Sequence, residues 1–204
     1  MEKYLFMKPV LQMISQGYFF RKSFAIFLRA LAVVTVIAGL VAWIMFWKYL
    51  SGATVSQVLG VIIFQVIFII AIYMVVHALL IRAEDIAGLP DADYMVIPIV
   101  SVSLKLCGEI YACFMAGVSL AGGILIWFIG GDAFYLIRKA AGFMPGFGHG
   151  SDFLGGLIFI VGGWLIAFFV LVVFYFLAEA VVVMADIARN TKITRQLAEK
   201  HNKK

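Results

Sequence analysis

The sequence predicts an all-α polytopic membrane protein, and three observations predict it. Of the 204 residues, 65% are apolar and only 13% are charged, against about half and about a quarter in a soluble domain. The apolar residues gather in four runs, Phe24 to Trp47, Val55 to Ile81, Val102 to Ile129 and Leu157 to Met184. Each exceeds the roughly 20 residues that cross about 30 Å of hydrocarbon as a helix. Most of the remaining charge lies between the runs and at the two chain ends. The expected organisation is an N-terminal segment (1–23), a four-helix transmembrane domain (24–184) and a basic cytoplasmic tail (185–204).

The segment Lys3 to Phe20 sets Lys8, Gln12 and Gln16, four apart, against Leu5, Phe6, Val10, Leu11, Met13 and Ile14. One polar stripe beside a broad apolar surface predicts an amphipathic helix lying in the membrane interface, with Pro9 near its start or at a kink. The first span behind it is too long for the apolar region of a signal peptide, so it is expected to be retained.

Cations orient the spans. Lys3, Lys8, Arg21 and Lys22 precede the first span, Arg82 falls in the middle loop, and the tail carries Arg189, Lys192, Arg195, Lys200, Lys203 and Lys204. The opposite face has only Lys48, Arg138 and Lys139. The positive-inside rule then puts both termini in the cytoplasm. Trp43, Trp47 and Trp127 come at the outer ends of the first and third spans, where an amphipathic ring prefers the interface. Trp164 lies within a span and is expected to pack.

The middle loop, Arg82 to Tyr94, contains Glu84, Asp85, Asp91 and Asp93 with Gly88 and Pro90. It reads as a helix end followed by a solvated acidic turn, because the carboxylates lack the alternating spacing and closing Glu of a calcium loop. The outer loop, Gly130 to Asp152, is glycine-rich, and Asp132 to Ala141 is expected to form one interfacial helix. His149 near Asp152 is too sparse a set for a metal site. Cys107 and Cys113, six apart in one span, point to different sides of a helix and predict no mutual disulfide.

Five ionisable side chains lie inside the spans: Arg29, His77, Lys105, Glu109 and Glu179. All fall toward the cytoplasmic side, with Tyr73 and Tyr175 one turn deeper than His77 and Glu179. A charge at mid-bilayer costs about 2.5 kcal/mol or more, so each needs a partner or an aqueous path. Lys105 and Glu109, spaced i,i+4, are expected to pair within their helix, leaving Glu179 for Arg29 or His77. One reading is an ion-pair layer that selects helix neighbours while Arg29 and Lys105 reach toward the headgroups. The other is a proton or ion relay, or a pocket for a charged headgroup or small solute. The outer half offers little beyond Thr35, Gln57, Gln65 and Ser119, which weighs against a through-going path.

Small residues predict where helices meet. Gly117 and Ala121 form a small-xxx-small pair, and Gly155, Gly156, Gly162 and Gly163 recur at an interval of seven.

The ends of the second and fourth spans also repeat one another. Tyr73, His77 and Ala78, followed by Ala83 to Ala87, answer Tyr175, Glu179 and Ala180, followed by Ala185 to Ala188. The pattern predicts a duplicated two-helix hairpin, 24–88 and 102–188, related by an axis along the membrane normal. The run Ala178 to Thr191, with Tyr18-Phe19-Phe20-Arg21-Lys22 before the first span, resembles the ends of a small bacterial two-helix membrane family of unknown function. That resemblance implies a bacterial inner membrane and no particular activity.

No phosphate-cradling glycine loop, HExxH, paired CxxC or GxSxG occurs, and His77, His149 and His201 are scattered. No enzyme, metal or cofactor is therefore expected. The expected function is a non-enzymatic subunit or scaffold of a bacterial inner-membrane complex. It would contact anionic headgroups at the cytoplasmic face and other subunits or copies of itself, and not nucleic acid. The alternative is a small transporter or proton- or ion-conducting oligomer using the inner polar layer.

Overall fold

The structure, a computed structural model, describes residues 17–47, 54–90, 96–130 and 153–201. They form four helices: α1 (Gly17–Trp47), α2 (Val55–Ala87), α3 (Val96–Ile129) and α4 (Phe153–His201). Each is long and apolar enough to cross a membrane, and the protein is an all-α, multi-pass membrane protein. The interfacial helix expected before residue 17 falls outside the described residues. So do the acidic turn at 91–95 and the outer loop 131–152 with its short helix and His149.

Every described helix outruns its apolar run. Thr54 and Gln57 cap the start of α2 reciprocally, the Thr54 hydroxyl accepting from the Gln57 N–H and the Gln57 side chain from the Thr54 N–H. α2 then continues through Arg82, Glu84 and Asp85 to Ala87, so Arg82 belongs to a helix and not to the middle loop. It stops where the Gly88 N–H bonds the Glu84 carbonyl at 2.9 Å and Pro90 follows. α3 begins six residues ahead of the expected Val102, with Pro98 in its first turn, where a helix has no use for the missing N–H. It ends at Gly130, whose φ of 78° suits a residue without a Cβ.

α4 has 49 residues, about 73 Å at the helical rise of 1.5 Å per residue and more than twice the hydrocarbon thickness. Its first part spans the membrane, and from Asp186 to His201 every residue is exposed. The basic tail, as far as His201, is thus a helical extension of the last span.

The helices pack in chain order, α1 on α2, α2 on α3 and α3 on α4. α1 touches α3 slightly, and among the described residues α1 and α4 form no packed pair. Among the described residues the bundle is thus open between α1 and α4. Hereafter the end where α1 begins and α4 departs is the terminal end, and the other is the far end. One apolar core, with Leu28, Val75, Leu79, Ile86, Ile99 and Leu106, fills the terminal end. A second, with Phe64, Leu125, Ile126 and Phe159, fills the far end.

Backbones approach closely at glycines, as helices in lipid must when no hydrophobic drive brings them together. A Cβ at Gly117 would stand 2.6 Å from that of Ala71, and one at Gly163 would stand 2.2 Å from that of Ser119. Gly123 and Gly156 oppose each other, a Cβ on either falling within 2.7 Å of the other's carbonyl oxygen. Gly155 and Ala121 are buried and Gly162 half-buried.

The tryptophans of the far end are tied in. Trp43 meets Trp47 edge to face at 5.6 Å, and Trp127 stacks on Phe153 while its indole N–H donates to the Phe153 carbonyl at 2.9 Å. Trp164 is half exposed on α4, yet its indole N–H reaches the Ala116 carbonyl of α3 at 3.3 Å.

Candidate functional site

The candidate site is a charged cluster shared by α2, α3 and α4 near the terminal end. Arg82 follows Val75 and Leu79 by seven and three residues and precedes Ile86 by four. All three are buried, so helical periodicity carries Arg82 onto the inward face of α2. Glu109 lies three residues past buried Leu106 on α3. Tyr175 lies three before buried Ala178 on α4.

The three side chains close on one another. Arg82 grips Glu109 with two nitrogens, Nε donating to Oε2 at 2.9 Å and Nη2 to Oε1. The Tyr175 hydroxyl donates to the same Oε1 at 2.5 Å and accepts from Nη2 at 3.2 Å. At the rim, Nη1 donates to Asp85 at 2.7 Å. Lys105 completes the group with Nζ 5.5 Å from the centroid of the Tyr175 ring, a cation–π contact. Two cations thus face two carboxylates. The paired side chains of Arg82 and Glu109 are only 21% and 19% exposed, so the pair is mostly withdrawn from its surroundings. A forked guanidinium–carboxylate contact is stronger and more directional than a point-charge pair.

This geometry corrects the expected pairing. Glu109 is taken by Arg82 from the neighbouring helix rather than by Lys105 one turn away, because the planar fork meets both carboxylate oxygens at once. Lys105 turns to the Tyr175 ring instead. Glu179 pairs with neither Arg29 nor His77. It is exposed and has no polar partner among the described residues. Of the seven residues expected to form the polar layer, the structure brings together Lys105, Glu109 and Tyr175, and it adds Arg82. Arg29 stands apart on the exposed face of α1. Tyr73 and His77 stand together on the exposed side of α2, rings stacked at 5.5 Å.

Arg82 escaped the sequence reading because it follows the last residue of an apolar run and precedes two acids and a glycine. Its signal was the spacing to Val75, Leu79 and Ile86. A second polar feature lies toward the far end, where Gln65 is buried and its side-chain nitrogen donates to the Trp43 carbonyl at 3.1 Å. The Gln65 side-chain oxygen has no partner among the described residues.

Among the described residues no three His, Cys, Asp or Glu side chains are placed to hold a metal ion. Both oxygens of Glu109 are engaged, so the cluster braces three helices. The chain matches no family model, no curated protein and no solved structure.

Proposed function

We propose that the protein is a non-enzymatic subunit or scaffold of a bacterial inner-membrane assembly, with both termini in the cytoplasm. The observation that carries this reading is the arm of α4. From Asp186 to His201 it is helical and exposed on all sides, with Ile187, Ile193 and Leu197 among its exposed residues. The arm continues a helix already nucleated in the span, but it gains none of the packing that supplies most helical stability in proteins. Its Arg195–Glu199 pair, at 2.9 Å and exposed, adds only a few tenths of a kcal/mol. Such an arm fits a chain whose remaining contacts are made with another subunit, while its basic residues suit anionic headgroups near its root.

Two features favour this reading over a transporter or ion-conducting oligomer. The Glu109 carboxylate is fully engaged by Arg82 and Tyr175. Beyond it, the core toward the far end is lined by Phe64, Leu125, Ile126 and Phe159.

The test compares the full chain with a chain ending at residue 188, both purified in mild detergent. A defined membrane partner held in constant ratio by the full chain, and lost from the shortened but still helical one, is expected. Reconstituted into liposomes, the full chain is expected to pass no protons or monovalent ions above the protein-free rate. Flux that Glu109→Gln abolishes would overturn the proposal in favour of transport.

A further inference from the structure

We infer that the groove between α1 and α2 is a binding site for one anionic phospholipid, with an acyl chain along the groove and the phosphate held by Arg29. The groove encloses about 410 Å³ and is lined by Val36, Leu40 and Trp43 of α1 and by Ile69, Tyr73 and Val76 of α2, among others. Apart from Tyr73 its walls bring no ionisable group, which suits a hydrocarbon chain.

Arg29 supplies the other half of the site. Val36, Leu40 and Trp43 follow one another at four and three residues, and a step of seven back from Val36 reaches Arg29. The cation therefore stands on the stripe that forms the groove wall, two turns nearer the terminal end. Antiparallel register agrees on height. Gly39 lies against Ile72, which sets Arg29 level with about residue 82 of α2, whereas Tyr73 lies deeper. His77, stacked on Tyr73, continues the α2 wall toward the same end.

Arg29 is exposed and has no polar partner among the described residues. A cation in a span is costly until it meets an anion, and the long arginine side chain can bring its head to the phosphate level. The guanidinium fork also matches phosphate oxygens. Net negative lipids are favoured over zwitterionic ones because the Arg29 cation meets no carboxylate among the described residues, whereas a zwitterionic headgroup brings a cation of its own. This site requires only membrane insertion and stands or falls apart from the subunit role.

The experiment is native mass spectrometry of the full chain in mild detergent with equimolar phosphatidylglycerol and phosphatidylcholine. One retained lipid per chain is expected, phosphatidylglycerol over phosphatidylcholine by about fivefold, the effect of about one cation at an anionic membrane surface. Arg29→Gln should abolish the preference and Arg29→Lys should keep most of it. Leu40→Trp, which fills the groove, should lower retention of both lipids, with helix content by circular dichroism unchanged. Equal retention of the two lipids by the native chain would overturn the site. So would a preference that survives Arg29→Gln, or retention that survives Leu40→Trp.

Discussion

Arg82 of α2 holds Glu109 of α3 through two nitrogens, and the Tyr175 hydroxyl of α4 closes on the same carboxylate at 2.5 Å. One contact thus links three helices. Removing one member leaves the other charged and mostly buried. Glu109→Gln is expected to lower unfolding stability by about 1–3 kcal/mol, and Arg82→Met similarly. The double variant should recover part of the loss, giving a coupling of about 1–2 kcal/mol in a double-mutant cycle. Lys105→Met, which forfeits only a cation–π contact, should cost less than about 1 kcal/mol. Unfolding by sodium dodecyl sulfate in mixed micelles, followed by circular dichroism, measures all four. A Lys105 effect larger than that of Arg82 would contradict the geometry.

Glycine substitutions should divide by what the added carbon meets. At Gly123 a Cβ would stand 2.6 Å from the Gly156 carbonyl oxygen, which is backbone and cannot swing aside. Gly123→Ala and Gly156→Ala are therefore expected to cost about 1–3 kcal/mol by forcing α3 from α4. At Gly39 the neighbour is the Ile72 side chain at 3.0 Å, and the gain in helix propensity offsets the squeeze. Gly39→Ala should stay within about 1 kcal/mol of the native chain. The same micelle titration distinguishes the two classes.

Gln65 is 3% exposed, with its side-chain nitrogen bonded to the Trp43 carbonyl and its oxygen unpartnered. A buried acceptor without a donor costs more than the single bond returns. Gln65→Met, similar in length, is expected to leave stability unchanged or raise it by about 1 kcal/mol. A clear loss of stability would mean that the oxygen finds a donor in the membrane.

The arm of α4 packs on nothing in the described chain. Ending the chain at residue 188 should shift the stability of the transmembrane domain by less than about 0.5 kcal/mol. A larger loss would show that the arm folds back onto the domain.

The number and positions of the spans were legible because a run of some two dozen apolar residues has few other uses. Helix ends were not, because polar residues such as Arg82, Asp85 and Asp186 extend a helix as readily as apolar ones once it leaves hydrocarbon. Ser101, whose hydroxyl donates to the Ala178 carbonyl at 3.1 Å, shows the deeper difficulty. Height in the membrane follows from counting residues along a span. Direction around a span requires a contrast between faces, and a helix apolar on every side offers none. Lys105 and Glu109 were therefore given the wrong companion, since a local i,i+4 pair is visible in a linear string and a neighbour on another helix is not. Gly117, Gly156 and Gly163 marked close contacts more reliably, because absence of a side chain is itself the directional signal.

The separation of α1 from α4 carries a consequence for any conduction reading. Four staves standing in a row, with no packed seam between the first and the last among the described residues, do not by themselves surround an aqueous lumen. Were water or ions to cross through this protein, several protomers would have to form the wall together, so conductance would rise with a power of protein density in the bilayer and not in proportion to it.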